Sequence, residues 1–399
     1  MPRYNLALLI ALCALPAMAA DVDRQLATSL LAISQSRLPE ALDTVDRLTQ
    51  AHPNFRLAQL VKGDLLLARV QPIKTLGDTH TAHRSELDQL REEARQRVRA
   101  LTDKIPADQV PSYLLNLAGD YRHALVVDAG RSRLYVFENR AGLPVRIDDF
   151  YISIGKAGAG KEKEGDNRTP VGIYSVNGYK SPRELTDFYG SGAWTLSYPN
   201  EWDRRQGRTG HGIWIHGSPS DTYSRVPRAS EGCVVLANDD LIRLGRYIEA
   251  GKTPVVIAES IDWVPYDALD ARRNELASAL EAWRTDWESR DTNRLLAHYA
   301  PDFRSGNQPL TAFSASKHRV NANKTWIKLG LDQVSLMLYP QGSPTPRPTH
   351  TPPAPGQTDF ALVSFEQHYQ SNNFSNRTVK RQFWTRENGR WMIVHETTL

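Results

Sequence analysis

Apolar residues recur at helical spacing in the first quarter of the chain: Leu26, Leu30 and Leu31, then Leu38, Ala41, Leu42 and Val45. This spacing predicts a helical region from Asp21 to about Ala118. The stretch ALDTVDRLTQAHPNFRLAQLVKGDLLLA reads as a helical hairpin that turns at His52-Pro53-Asn54. A single hairpin cannot bury its own face, because helical repeats need about three neighbours, so no peptide-binding solenoid follows. A further helix over roughly Ser85 to Leu101 gathers Leu87, Leu90, Ala94 and Val98 on one side and charges on the other. That stripe calls for a partner, either the next domain or a second copy of the chain as a homodimer.

At His123 the period shifts to short strands, ALVVDAG, SRLYVFEN and IDDFYISIG, and PVVIAES closes this β-rich region near Ile257. Asp270 to Tyr299 then reads as one long helical segment. Further strands follow, with Asn388-Gly389 as a hairpin turn near the end. Between two of them, QGSPTPRPTHTPPAPGQ is too proline-rich to pack and reads as an exposed loop. The fold class is thus multidomain α+β, with a helical region over 21–118, a β-rich domain over 120–260 and an α+β domain over 262–399. Trp283, Trp287 and Trp391 are read as core of the last.

The first twenty residues, MPRYNLALLIALCALPAMAA, place Arg3 ahead of an apolar run from Leu6 to Leu15, followed by small residues at Ala17 and Ala19. They read as a secretory signal over 1–20, cleaved near Ala19 or Ala20, and place the protein in the periplasm. No later segment approaches the roughly 18 apolar residues of a membrane-spanning helix, so the mature form should be soluble. Bulky Leu12 disfavours lipid modification of Cys13. Lys and Arg number 49 against 45 Asp and Glu, in dispersed positions, which leaves no electrostatic footprint for nucleic acid.

Removal of the signal leaves Cys233 as the single cysteine of an exported chain, without a disulfide partner. Upstream runs HGIWIHG, from His211 to Gly217. On a strand, Ile213 and Ile215 would face the core, with Trp214 and His216 on the other face, turned to a cleft or solvent. His211 has the opposite parity to His216 and is the weaker candidate. The polar, proline-punctuated segment between His216 and Cys233 could fold back and bring imidazole to thiol, giving a thiolate nucleophile. Gly232 permits a sharp turn there, so that backbone N–H groups could point at a developing oxyanion.

The elements Ile215-His216-Gly217, Ser230-Glu231-Gly232-Cys233 and EGDNRTPVGIY (Glu164 to Tyr174) together resemble the signature of the YkuD family of L,D-transpeptidases. The run Gly232-Cys233-Val234-Val235-Leu236-Ala237-Asn238 is similar to a branch of helical-cell-shape L,D-carboxypeptidases, which also carry a C-terminal domain like nuclear transport factor 2 (NTF2-like). Glu231 stands where the larger transpeptidase group has histidine, and Val235 where many of its members have arginine.

The resemblance implies a cysteine acyltransferase acting on peptidoglycan stem peptides. Cys233 would be the nucleophile and His216 its base, steered by the Gly217 carbonyl. Backbone N–H groups near Gly232 and Cys233 would hold the tetrahedral oxyanion, and Gly232, Ser230, Trp214 and His211 would make up the oxyanion and substrate-binding region. Attack falls on the bond between the L-centre of meso-diaminopimelate and D-Ala, and the outcome is either L,D-transpeptidation or L,D-carboxypeptidation. Alternatives are a hydrolase that releases a wall-attached lipoprotein and a non-catalytic peptidoglycan-binding scaffold. No cofactor and no metal are expected. The run Gly155 to Lys161 fits GxxxxGK, but Glu162 replaces the residue that would hold magnesium, and it reads as a mobile glycine-rich loop. His298, His318, His350, His368 and His395 are scattered, so the C-terminal pocket should bind rather than react.

Overall fold

In a computed structural model, residues 19–77, 84–340 and 360–399 are described. Cys13, the leader up to residue 18, His350 and the proline-rich stretch lie outside the described residues.

Four helices open the described chain: α1 (Ala19–Ser34), α2 (Leu38–Ala51), α3 (Arg56–Leu67) and α4 (Arg84–Thr102). Their apolar stripes meet in a cluster that includes Leu26, Val45, Val61, Leu90 and Ala94. Tyr223, Val226 and Ala237 of the β-rich domain complete this cluster, so part of the helical face is covered within the chain. The helical expectation over 21–118 runs too far, because α4 stops at Thr102. Pro106 and Pro111 cannot continue a helix. Gln109–Pro111 instead pairs with Trp263–Pro265, and Leu114–Asn116 pairs with Ile327–Leu338 of the C-terminal domain.

Among the described residues the central sheet has eight strands. Their spatial order is Val234–Val235, Trp214–His216, Ala193–Leu196, Gly172–Lys180, Pro254–Ala258, His123–Asp128, Arg133–Arg140 and Leu143–Tyr151. Ile213, Ile215, Val234 and Leu236 enter one core cluster on a single side of this sheet. Strands with apolar residues at both parities, such as His123–Asp128, are buried on both faces. The second face packs on the C-terminal sheet, where the Trp202 ring sits 4.6 Å from Phe360 and 5.7 Å from Phe383. The two domains therefore share a hydrophobic core.

Among the described residues a seven-stranded sheet, with Leu114–Asn116 as one edge and the other six strands from the C-terminal domain, wraps around the helix Ala268–Glu288. The single helix expected up to Tyr299 is broken. Arg290 takes φ +66°, and the Asp291 carboxylate accepts the N–H groups of Asn293 and Arg294 to start a separate helix, Thr292–Leu296. Tyr299 already lies in a strand, where its hydroxyl accepts the Trp283 indole N–H at 2.9 Å. Trp283, Trp287 and Trp391 are core. Asn388 and Gly389, both at positive φ, form the two-residue turn between Phe374–Glu387 and Arg390–Thr398. A cleft of about 920 Å³ lies where the helix Glu201–Arg205 meets Pro301–Thr311, with His395 in its wall.

Candidate active site

Strand Trp214–His216 pairs in parallel with Val234–Val235, placing Val234 beside Ile215 and Val235 beside His216. One residue further back, Cys233 falls beside Trp214. Residues paired in register share a face, so Cys233 and His216 lie diagonally across adjacent chains on the same side of the sheet. The thiol is partly exposed, and its Sγ lies 3.4 Å from the Gly212 carbonyl.

The His216 ring is fully buried, in contrast to the cleft or solvent position that its parity suggested. The cause is a segment that covers the strand: the turn Asp187–Tyr189 sets the Tyr189 ring 5.0 Å and the Phe188 ring 5.8 Å from the imidazole. Nδ1 lies 2.7 Å from the Gly217 carbonyl oxygen. That bond fixes Nδ1 as the protonated nitrogen and leaves Nε2 with a lone pair. Nε2 has no hydrogen-bond partner among the described residues. Burial lowers the His216 pKa to about 4, the Gly217 carbonyl opposes this, and the Arg225 charge adds to the lowering. Burial also raises the Cys233 thiol, against the Trp214 N–H and the charges of Arg225 and Lys161. At neutral pH the site therefore holds a neutral thiol and a neutral imidazole.

The turn before the nucleophile is locally determined. Ser230 Oγ accepts the Gly232 N–H at 3.1 Å and donates to the Cys233 carbonyl at 2.6 Å. Gly232 takes φ +131°, and a Cβ there would stand 2.8 Å from the Arg168 carbonyl, so only glycine fits. The Gly232 N–H is thus committed to Ser230 and is not free for an oxyanion.

The remaining candidates separate. Trp214 is half-buried, its ring 5.0 Å from Tyr189. His211 sits exposed in the loop before the strand, its Nε2 3.5 Å from Glu164. The glycine-rich run is pinned, not loose. Lys161 is buried with its Nζ 2.8 Å from Asp166, and Thr169 Oγ1 accepts the Gly155 N–H and donates to the Gly232 carbonyl. Burial raises the Asp166 carboxyl, but Lys161 and the N–H groups of Glu162, Lys163 and Arg168 outweigh it and hold the group at about 2. Among the described residues no cluster of His, Cys, Asp and Glu could hold a metal.

Three groups at the site carry no signal at motif spacing. Phe188 and Tyr189 cover the imidazole. The Arg225 guanidinium stacks 4.5 Å from the centre of the Phe188 ring.

A model of the YkuD L,D-transpeptidase catalytic domain matches residues 122–257. The central domain belongs to the YkuD family. Behind the YkuD domain, residues 275–397 match the Cds6 C-terminal NTF2-like domain. Two solved structures extend over both domains. Bd1075 from Bdellovibrio bacteriovorus is 28% identical, with 73% of this chain and 98% of that chain covered and a TM-score of 0.61. The helical cell shape determining protein Pgp2 from Campylobacter jejuni is 25% identical, with 71% and 95% covered and a TM-score of 0.57. No curated protein matches the chain significantly. Among the described residues no helix is long and apolar enough to cross a membrane.

Proposed function

We propose that this protein is a periplasmic L,D-acyltransferase that opens tetrapeptide stems of peptidoglycan through a Cys233 thioester. The observation that carries the reading is the unpartnered Nε2 of a buried, neutral His216, on the same sheet face as the single thiol of the domain. A base that is already deprotonated and holds a free lone pair can take the thiol proton when substrate displaces the Gly212 contact. The thiolate sulfur then attacks the carbonyl carbon at the L-centre of diaminopimelate. The Cys233 N–H is the donor we assign to the oxygen that gains charge. Collapse breaks the C–N bond, and His216 returns the proton to the amine of departing D-alanine.

The resulting thioester needs a second nucleophile. Water gives a trimmed tripeptide, and an amine of another stem gives a crosslink. Support for action on the wall comes from the YkuD match and from the cell-shape relative. Stem peptides from the digested wall of a strain lacking this protein test the reading. Accumulated tetrapeptides establish trimming and lost crosslinks establish transfer. An unchanged profile contradicts both.

A further inference from the structure

Arg225 lies in the segment between His216 and Cys233, outside every motif. Its guanidinium is half-buried against Phe188, and its charge bears on both Cys233 and His216. Asp221 and Glu231 act on it from a distance, and Glu231 is itself an exposed side chain with Lys156 at 3.7 Å. Among the described residues no carboxylate lies within ion-pair distance of Arg225. The other cation that bears on the thiol, Lys161, is already paired with Asp166. A partly desolvated guanidinium without a counter-ion, stacked on the Phe188 ring that lies 5.8 Å from the His216 imidazole, is a site arranged for an incoming anion.

The backbone that carries Arg225 is held from both sides. Tyr223 packs 4.6 Å from Phe55, and Ser224 Oγ bonds Glu93 and Arg97 of α4 at 2.9 and 3.0 Å. The Tyr151 hydroxyl donates to the Arg225 carbonyl at 3.0 Å, and the Ile154 N–H to the Pro227 carbonyl at 2.9 Å. The cation is therefore presented from a fixed frame, to which the helical domain contributes.

We propose that Arg225 binds the free C-terminal carboxylate of the stem peptide and so restricts the enzyme to stems that end at the residue it removes. This rests on the acyl-transfer reading above. In such a stem the terminal carboxylate is only a few covalent bonds from the carbonyl that Cys233 attacks, and it is the anion nearest the reacting centre. Arginine offers a planar pair of donors that matches a carboxylate. A longer or crosslinked stem has an amide at that place and leaves the guanidinium unpaired, which disfavours it.

Two measurements on the full-length protein test this. The first compares kcat/KM on a disaccharide tetrapeptide with that on its C-terminal amide, for wild type, Arg225→Gln and Arg225→Lys. Wild type should favour the free acid by on the order of a hundredfold, the glutamine variant should lose most of that preference, and lysine should keep part of it. The second needs no turnover. Cys233 is alkylated with anionic iodoacetate or neutral iodoacetamide, each forming a C–S bond with loss of iodide, and the adduct is read on the Cys233 peptide. Wild type should show a several-fold higher iodoacetate-to-iodoacetamide ratio than Arg225→Gln. Equal ratios in the two proteins overturn the proposal, as does an unchanged acid-to-amide preference. A wild type inert on tetrapeptide refutes the acyl-transfer reading, and the alkylation ratio still decides whether Arg225 attracts a carboxylate at the thiol.

Discussion

The Asn238 side-chain oxygen accepts the Ser191 N–H at 2.8 Å, while its nitrogen donates to the Ser218 carbonyl at 2.9 Å. One amide thus ties the segment bearing Phe188 and Tyr189 to the segment that follows His216. The space around it is full: a Cβ at Gly217 or Gly190 would stand 2.1 Å from Asn238 Oδ1. Asn238→Ala removes both bonds and leaves buried partners unpaired, at a cost of about 1–3 kcal/mol each. Thermal unfolding should therefore shift clearly downwards, and turnover on muropeptides should fall further than the stability loss at assay temperature explains. Wild-type turnover in a folded Asn238→Ala protein would show that the cover over His216 is not needed.

The neutral pair makes a specific pH profile. His216 sits at about 4 because it is buried, below the ordinary imidazole value of 6.5, and burial raises Cys233 above 9.0. An imidazolium–thiolate pair would instead give a thiol fully reactive from mildly acidic pH upwards. Alkylation of the free enzyme by iodoacetamide should keep climbing through pH 9 without a plateau near neutrality. The acid limb of kcat/KM should fall near pH 4, since the base stays deprotonated down to that value. For stability the sign follows: between about 4 and 6.5 the unfolded chain binds more protons at this position, so acidification through that window destabilises the fold.

Arg97 joins the helical domain to the catalytic segment. Its buried guanidinium pairs with Glu93 at 2.8 Å and with Asp23, lies 3.9 Å from the Tyr151 ring centre, and bonds Ser224. Arg97→Ala would leave buried Glu93 without its cation, whereas Asp23 keeps Arg133 at 2.7 Å. Removal of one partner from a buried pair costs about 3–5 kcal/mol. Denaturant unfolding should show that loss, and Arg97→Lys should restore only part of it, because an ammonium cannot reach all these partners in one plane. A loss below about 1 kcal/mol in Arg97→Ala would show that the cluster does not hold the segment.

Much of the site is legible in the sequence because it is local. Ile213 and Ile215 are core by alternation, and the same alternation puts His216 on the other face together with Trp214. Ser230, Gly232 and Cys233 form a turn whose bonds span three residues. What could not be read is what distant segments bring. His216 is buried by Phe188 and Tyr189, which reach it from a separate turn. Arg225 reaches the Phe188 ring from a segment whose Tyr223 and Ser224 are held by Phe55, Glu93 and Arg97. The same holds for the fold: Leu114–Asn116 looks like the tail of a helical region, yet its apolar residues find their partners in Ile327–Leu338. The break before Thr292 follows from the Asp291 cap, a signal that apolar spacing alone overlooks.

The central claim is a covalent acyl-enzyme on Cys233. Purified full-length protein mixed with disaccharide tetrapeptide and quenched in acid should carry a disaccharide-tripeptide mass on the Cys233 peptide, with D-alanine released. Cys233→Ala should show neither adduct nor release, and His216→Ala should form both at least a hundredfold more slowly, on the order of the contribution of a general base. Release of D-alanine by Cys233→Ala at the wild-type rate, or an adduct on any other residue, would contradict the account.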